Sequence, residues 1–352
     1  MNNKLNVSPD KNIAVSSTLS GPCPPDIKIS FKSLKYKINP ELIDPDAAKI
    51  IKRLNYFGYE AYLVGGCIRD ILLGVKPKDF DVATSATPSQ IKKIFRNCRL
   101  IGRRFRLAHL HFKDNIIEVA TFRRGAIDSD DLSKAHAAEN LFGNAGDDVL
   151  RRDFTINAMM YDIDKELLLD WTGGLTDIQN TKLCSIGNPL RRITEDPVRI
   201  LRAMKFAEKL NLDIEDEFLA ASISKLELLK DVSKSRMLEE ILKILRSGSS
   251  VKILKSFHKI GIIKIILPNL AEQIDTFGDD FFNILNKCDI DISNGKKLSD
   301  TVLLTSLFFS PGMTAINGEG DVLKNLKHLL RNIGHPLPFT KNHMSQTGHI
   351  FA

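Results

Sequence analysis

The sequence predicts an α+β protein: a small α/β head of about 120 residues, an ordinary domain size, followed by an all-helical neck and body. Three observations carry this expectation. Between residues 46 and 170 short apolar runs alternate with segments of helical spacing. After Asp177 strand patterns nearly vanish, while apolar residues recur every three or four positions. The chain also has 352 residues, 43% of them apolar and 26% charged, enough for two or three buried cores. The expected division is a flexible N-terminal arm over 1–45, a head over 46–170, a helical neck over 171–250 and a helical body over 251–352.

Residues 1–45 are rich in Ser, Pro, Asn and Lys and only weakly periodic, which is why they read as an arm. From Asp46 onward, Ala47, Ile50, Ile51, Leu54 and Phe57 keep helical spacing until Gly58. Residues 61–64 read as a strand, 67–73 as a helix and 80–83 as a second strand. Thr87-Pro88 opens a helix reaching 95, with Thr as cap and Pro in the first turn. Strands follow at 106–112 and 116–122, joined by the turn Lys113-Asp114-Asn115. Residues 125–146 carry Gly, Asp, Asn and Ser with little pattern and read as a mobile loop. Helical spacing resumes over 197–210, 215–229 and 236–245, runs on to 267, and returns over 322–333.

Composition narrows the partners. A net charge of +7 favours a polyanion, because each Lys or Arg set on a phosphate releases counterions. Five cysteines without Cys-x-x-Cys spacing fit a reducing compartment and suggest no zinc site, and the eight histidines form no metal spacing. No apolar run has the length of a membrane span and the start lacks a targeting pattern, so the expectation is a cytoplasmic protein without a membrane partner. Oligomeric state is left open.

The densest chemistry lies in Leu63-Val64-Gly65-Gly66-Cys67-Ile68-Arg69-Asp70 and, shortly after, Asp79-Phe80-Asp81. A Gly pair after an apolar strand lets backbone approach a bulky anion, the next helix offers unpaired N–H groups, and Arg69 adds positive charge. Asp79 and Asp81 stand two apart, so in extended chain both carboxylates face one side, as joint ligation of Mg²⁺ requires. Either half alone is common, the first in turns and the second at solvated strand ends.

In order and spacing, Gly-Gly-x-x-Arg-Asp, Gly74 and Asp79-x-Asp81 resemble the head motif of class II template-independent nucleotidyltransferases, the bacterial poly(A) polymerases and CCA-adding tRNA enzymes. Further similar blocks follow: Arg151-Arg152-Asp153-Phe154-Thr155-Ile156-Asn157-Ala158, Asp170-x-x-Gly173-Gly174-x-x-Asp177 and Glu195-Asp196-Pro197-Val198-Arg199-Ile200-Leu201-Arg202. The resemblance covers about residues 46 to 250 and implies a polymerase-β-like head, a two-metal Mg²⁺ site, ATP as substrate and RNA 3′ ends, of mRNA or tRNA, as acceptors. Attack on an α-phosphorus then needs carboxylates to hold the ions, here Asp79 and Asp81.

A third carboxylate has two candidates. Glu118 shares a strand face with Ile116, Ala120 and Phe122, and its partner is either a metal or an arginine, Arg106 or Arg123. Asp153 is the other, and the resemblance places Arg152 and Asp153 at the ribose and phosphates. Arg199 and Arg202 share a helix face with Glu195 and Asp196 in its first turn, which by itself reads as capping and surface charge pairs. The resemblance instead implies that Asp196 and Arg199 read the base edge, with Arg202 in support, and that Arg236 braces the reading helix through a carboxylate. Lys205 stands where the family usually has Arg, which puts the role of that position in doubt. Phe154 and Ile156 read as packing, Asn157 as ordering its loop, Trp171 as packing at a domain junction, and His109 and His111 as structural.

The stretch 95–109 is similar to the bacterial poly(A) polymerase head and unlike most CCA enzymes. Its arginines, among them Arg103, Arg104 and Arg106, together with Arg123, are suited to gripping RNA phosphates without reading sequence. The expected activity is therefore RNA 3′-adenylyl transfer, polynucleotide adenylyltransferase chemistry releasing pyrophosphate. CCA addition to tRNA, or an RNA-binding relative without catalysis, are the alternatives. Bacterial poly(A) polymerases usually extend into a basic tail, whereas this chain stops at an apolar Ile350-Phe351-Ala352, so the body is expected to be cut short and RNA grip weakened.

Overall fold

A computed structural model describes residues 8–9, 29–102, 107–113, 115–124, 142–316 and 331–337, with the single positions 27, 324 and 328. The chain divides into two compact units, residues 1–188 and 189–352.

The first unit is built on one sheet. Its strands are β1 (Ser8–Pro9), β2 (Lys32–Lys35), β3 (Ala61–Val64), β4 (Asp81–Thr84), β5 (Cys98–Ile101), β6 (Leu107–His111), β7 (Ile116–Thr121), β8 (Met160–Asp162) and β9 (Leu167–Asp170). They lie in the order β1-β2-β9-β8-β3-β4-β7-β6-β5. Neighbours run antiparallel except β4 and β7, which are parallel with Asp81 opposite Glu118. The first-unit helices are α1 (Pro45–Tyr56), α2 (Gly66–Leu72), α3 (Pro88–Ile94), α4 (Ala145–Leu150) and α5 (Gly174–Gln179).

Each helix starts where its sequence allows. Asp44 accepts the N–H groups of Asp46 and Ala47 and Pro45 opens α1, while Thr87 and Gln90 form a capping box across the first turn of α3, which Pro88 opens. Ala47, Ile50, Ile51 and Leu54 of α1 are buried, and α1 packs on β3 and β4. On the other side, Tyr62, Val64, Ala83, Phe122, Met160, Leu169 and Trp171 form a core roofed by Ala145 and Val149 of α4. Asp81 and Glu118 belong to this roofed face, since they lie two residues from Ala83 and Ala120 and side chains alternate along a strand. Ala83 is buried, Ala120 half-buried, and Asp81 and Glu118 exposed, so the face opens to solvent at these two carboxylates.

Four departures from the sequence reading are instructive. Lys32–Lys35, expected in the flexible arm, pairs with β9 and buries Leu34. The β8–β9 hairpin was not anticipated, because every residue of both strands is buried and the pattern is a continuous apolar run rather than an alternation. The strand β5 was also missed. Residues 171–188 stay with the head, instead of parting from it at 170. Asp170 gathers the N–H groups of Thr172, Gly173, Gly174 and Leu175, and Thr155 N donates to Cys184 O at 3.1 Å.

The second unit is helical: α6 (Pro189–Glu195), α7 (Val198–Leu210), α8 (Asp216–Ser224), α9 (Lys234–Leu245), α10 (Ser250–Lys259), α11 (Ile262–Ile266), α12 (Pro268–Phe277), α13 (Asn283–Ser293), α14 (Asp300–Leu307) and α15 (Phe309–Ile316). Helix α7 packs on α10, and buried Asp289 on α13 accepts the N–H groups of Ser250 and Val251 at the start of α10. Helices on both sides of residue 250 thus share one core, with no division there. The helix expected over 322–333 falls largely outside the described residues. Among the described residues no helix is long and apolar enough to cross a membrane.

Candidate active site

Strand β3 ends at Val64, and Gly65 turns the chain into α2 with φ 76°, a conformation that a Cβ would strain. A Cβ built on Gly65 would lie 3.4 Å from Arg152 Nη1 and 3.9 Å from Asp81 Oδ2, so three of the expected site residues converge on one bare stretch of backbone. No side chain caps α2. Arg69 lies folded against Gly66 and is only 8% exposed. Its guanidinium donates to Asp70 Oδ1 at 2.9 and 2.6 Å and to Asn157 Oδ1 at 2.7 Å. The charge that the sequence assigns to anion binding is thus held beneath the glycines.

Asp79 lies just before β4 rather than within it, yet the alternation holds: Phe80 is buried while Asp79 and Asp81 are both exposed. Asp81 touches solvent at one side and protein at the others. Its pKa rises from 3.8 to about 6, through burial first and then through the charges of Glu118 and Asp79, against a downward pull from Arg152. Glu118 keeps half its side chain exposed and meets His109 Nε2 at 3.4 Å. It is therefore no charge trapped on an apolar face, and the His109 ring, read as structural, contacts one of the candidate carboxylates. Arg123 N donates to Asp148 Oδ1. Arg103, Arg104 and Arg106 lie outside the described residues.

Arg152 is placed by two elements. Its Nε and Nη2 donate to Asp148 Oδ2 on α4 at 3.3 and 2.9 Å, and Nη1 donates to the carbonyl of Asn157 at 3.1 Å. Asp153 turns inward: it is 9% exposed, and its Oδ1 accepts from Phe154 N at 2.9 Å and Asn157 Nδ2 at 3.3 Å. Asn157 thus joins Arg69, Arg152 and Asp153, more than the loop-ordering role read from sequence. Asp148 was missed altogether. Its signal was present in the i, i+3 and i, i+4 spacing from Asp148 to Arg151 and Arg152.

Chemically, Asp79, Asp81 and Glu118 offer hard oxygen donors of one sign; burial first and then the Glu118 and Asp79 charges lift the Asp81 pKa, and the repulsion among them is what a divalent cation relieves. The donor set fits Mg²⁺, although among the described residues no three such side chains converge as a ready-made cage.

In the second unit, Glu195 is the last residue of α6 and pairs with Arg191 and Arg192. Pro197 separates it from α7, so it does not sit in the first turn of the reading helix as expected. Asp196 does hold that start, its Oδ1 accepting from Val198 N at 3.3 Å. Its Oδ2 takes Arg236 Nη2 at 2.7 Å, the expected brace. Arg199 and Arg202 are half-buried on α7. Lys205 lies 3.5 Å from Glu240, and burial pulls its pKa below the usual lysine range while Glu240 acts to raise it.

Residues 61–184 match the family model described as the Poly A polymerase head domain, and residues 211–274 the one described as the probable RNA and SrmB-binding site of polymerase A. The chain is 41% identical over 291 residues to poly(A) polymerase I of Salmonella typhimurium, a match covering 79% of this chain and 62% of that relative. To poly(A) polymerase I of Haemophilus influenzae it is 37% identical over 308 residues, covering 84% and 67%. The structure of the Bacillus stearothermophilus CCA-adding enzyme in complex with CTP superposes with a TM-score of 0.58 at 22% identity, over 88% of this chain and 82% of that one, a likeness of fold. The chain therefore spans less than two thirds of the Salmonella relative. Matched along its head and its helical unit, and at this level of identity, the chain belongs to the poly(A) polymerase and CCA-adding nucleotidyltransferase family.

Proposed function

We propose that the protein adds AMP from ATP to RNA 3′ ends without a template, releasing pyrophosphate, and acts in the cytoplasm. The carrying observation is the meeting of Gly65 backbone, Arg152 Nη1 and Asp81 Oδ2 at one point, with Glu118 in register beside Asp81. Asp79 and Asp81 would hold Mg²⁺, with Glu118 a better third donor than the inward-turned Asp153. When bound, the metal supplies charge that acidifies the attacking hydroxyl and offsets the charge of the leaving pyrophosphate.

The chain's own residues do the rest. The Gly65-Gly66 backbone comes close to the triphosphate where a side chain would block it, and Arg152 sets a guanidinium against its oxygens. Arg69, tied to Asp70 and Asn157, adds fixed positive charge below. Asp153 holds the turn that carries Asn157, and so acts on the nucleotide through Arg152. In the second unit, Asp196 supplies acceptors and Arg199 donors, complementary to the amino group and ring nitrogen of adenine, with Arg202 in support. Arg103, Arg104, Arg106 and Arg123 would grip the RNA backbone.

The test is incubation with an unrelated RNA and with tRNA lacking its last three nucleotides, using ATP alone and then ATP plus CTP. Long A tails on both RNAs are expected, whereas arrest after C-C-A on tRNA alone would convert the reading to CCA addition. Asp79→Ala or Asp81→Ala should reduce incorporation by on the order of 10³-fold or more while leaving the thermal melt intact. Wild-type turnover in either variant would remove the metal assignment.

A further inference from the structure

Among the described residues of the head, Asp148 accepts hydrogen bonds from Arg123, Arg151 and Arg152, and the chemistry above gives it no role of its own. It is 1% exposed and sits on α4, a short helix buried along its whole length. An isolated carboxylate does not survive there, and this one is not isolated. Its Oδ1 accepts from Arg151 Nε at 2.8 Å, from Arg151 Nη2 at 2.5 Å and from the backbone N–H of Arg123 at 3.3 Å. Its Oδ2 accepts the Nε and Nη2 of Arg152.

We propose that Asp148 is a positioning residue for nucleotide binding: it fixes the in-plane orientation of the Arg152 guanidinium so that Nη1 lies over Gly65. This rests on the adenylyl-transfer reading and adds a residue to it.

Three observations lead there. The contact is two-pronged, through Nε and Nη2, and a guanidinium held at both of those atoms cannot rotate in its own plane. The prong left over, Nη1, is the atom found 3.4 Å from the Cβ that Gly65 lacks, and the Asn157 carbonyl fixes it from a second side at 3.1 Å. The carboxylate is shared, one oxygen to each arginine, so Arg151 neutralises Asp148 without displacing Arg152. Burial alone would raise the Asp148 pKa, yet the two guanidinium charges carry it below the usual carboxylate range, which keeps the anchor ionised wherever the enzyme would work. The anchor is also continuous with the core, because the neighbours of Asp148 on α4, Ala145 and Val149, roof the same sheet face that opens at Asp81 and Glu118. Arg152 is thus held against the frame that carries the metal carboxylates.

The test uses the full chain, an unrelated RNA and varied ATP. Asp148→Asn should raise the KM for ATP by at least roughly tenfold while kcat falls by no more than about threefold, because a loosened Arg152 loses binding common to ground and transition states. Asp148→Glu, which keeps the charge, should recover part of that loss. Removing a buried carboxylate from between two guanidinium groups can unfold a protein, so the charge-balanced pair Asp148→Asn/Arg151→Gln is the second variant, with the same rise expected. Arg151→Gln alone should leave the KM within about twofold. In a background of Arg152→Ala, adding Asp148→Asn should change the KM no further, as two residues acting through one contact require. A folded Asp148→Asn/Arg151→Gln protein with the wild-type KM for ATP would overturn the role. Wild-type protein that neither binds nor incorporates ATP would overturn the functional reading and this one with it, whereas an active wild type with unmoved KM in the variants overturns this one alone.

Discussion

The Asp81 carboxylate touches solvent yet stands beside Glu118 and Asp79, and its pKa near 6 makes the site's protonation state sensitive in the working range. The direction follows from the raised value. Asp81 binds its proton more tightly in the folded head than in an unfolded chain, so whatever stability this gives is present in acid and lost as pH rises from about 4 through 6. Metal binding has the opposite slope, since only the ionised carboxylate ligates. Activity should therefore fall as pH drops through about 6, and raising Mg²⁺ should push that acid limb lower, because metal and proton compete for the same oxygens. Glu118→Gln removes a proposed metal donor together with the largest repelling charge, so the limb should respond less to added Mg²⁺ than in the wild type. Profiles of kcat/KM against pH at two Mg²⁺ concentrations check this, and a limb that ignores Mg²⁺ would show that some other group sets it. Much of this was legible in the residues: the alternation around Phe80 put Asp79 and Asp81 on one side, and the spacing in β7 put Glu118 on the strand face it occupies. The point at which α4 stops covering that face was not legible, because it depends on where a helix distant in sequence packs. Asp148 was ambiguous rather than hidden: its spacing to two arginines suits a surface ion-pair cluster equally well, and only burial turns it into an anchor.

At the scale of elements, the block Asp170-x-x-Gly173-Gly174-x-x-Asp177 acts as a clamp on the arginine-bearing segment. Asp170, itself buried, takes four successive backbone N–H groups and so fixes the turn into α5. Asp177 on α5 then accepts the Thr155 hydroxyl at 2.6 Å, and Gly174 comes so close to the same residue that an added Cβ would lie 2.2 Å from the Thr155 carbonyl oxygen. The atom in the way is backbone, which cannot rotate aside. Gly174→Ala should therefore force apart α5 and the single 3₁₀ turn Thr155–Asn157, at a cost of about 1–3 kcal/mol. Because Asn157 in that turn ties both Arg69 and Arg152, the KM for ATP should rise along with the loss in melting temperature. Thermal melts and ATP kinetics on one preparation test both, and an unaltered melt would mean that the close approach is not a real constraint. The sequence marked this block by resemblance. It did not show that the clamp keeps residues 171–188 in the head, since a Gly pair followed by polar residues reads equally as a linker.

At the scale of the whole molecule, the net charge of +7 has no single location in the reading above, and the arginines proposed to meet RNA are distinct from those that meet ATP. That separation gives a measurable difference between two Michaelis constants. Counterion release makes RNA affinity fall with the logarithm of salt concentration, by roughly 0.7 in slope for each single-strand phosphate contacted, while a triphosphate held in a compact site with its metal displaces far fewer counterions. The KM for RNA should thus climb steeply between low and high salt and the KM for ATP only slightly. Replacing Arg103, Arg104 and Arg106 together by Ala should flatten the RNA slope by roughly 2 units if each contacts one phosphate, and should leave the ATP value alone. Arg152→Ala should do the reverse, raising the KM for ATP without touching the RNA slope. An RNA salt slope unchanged by the triple replacement would move the RNA track elsewhere on the chain, toward the helical unit whose residues 211–274 match the RNA-binding family model.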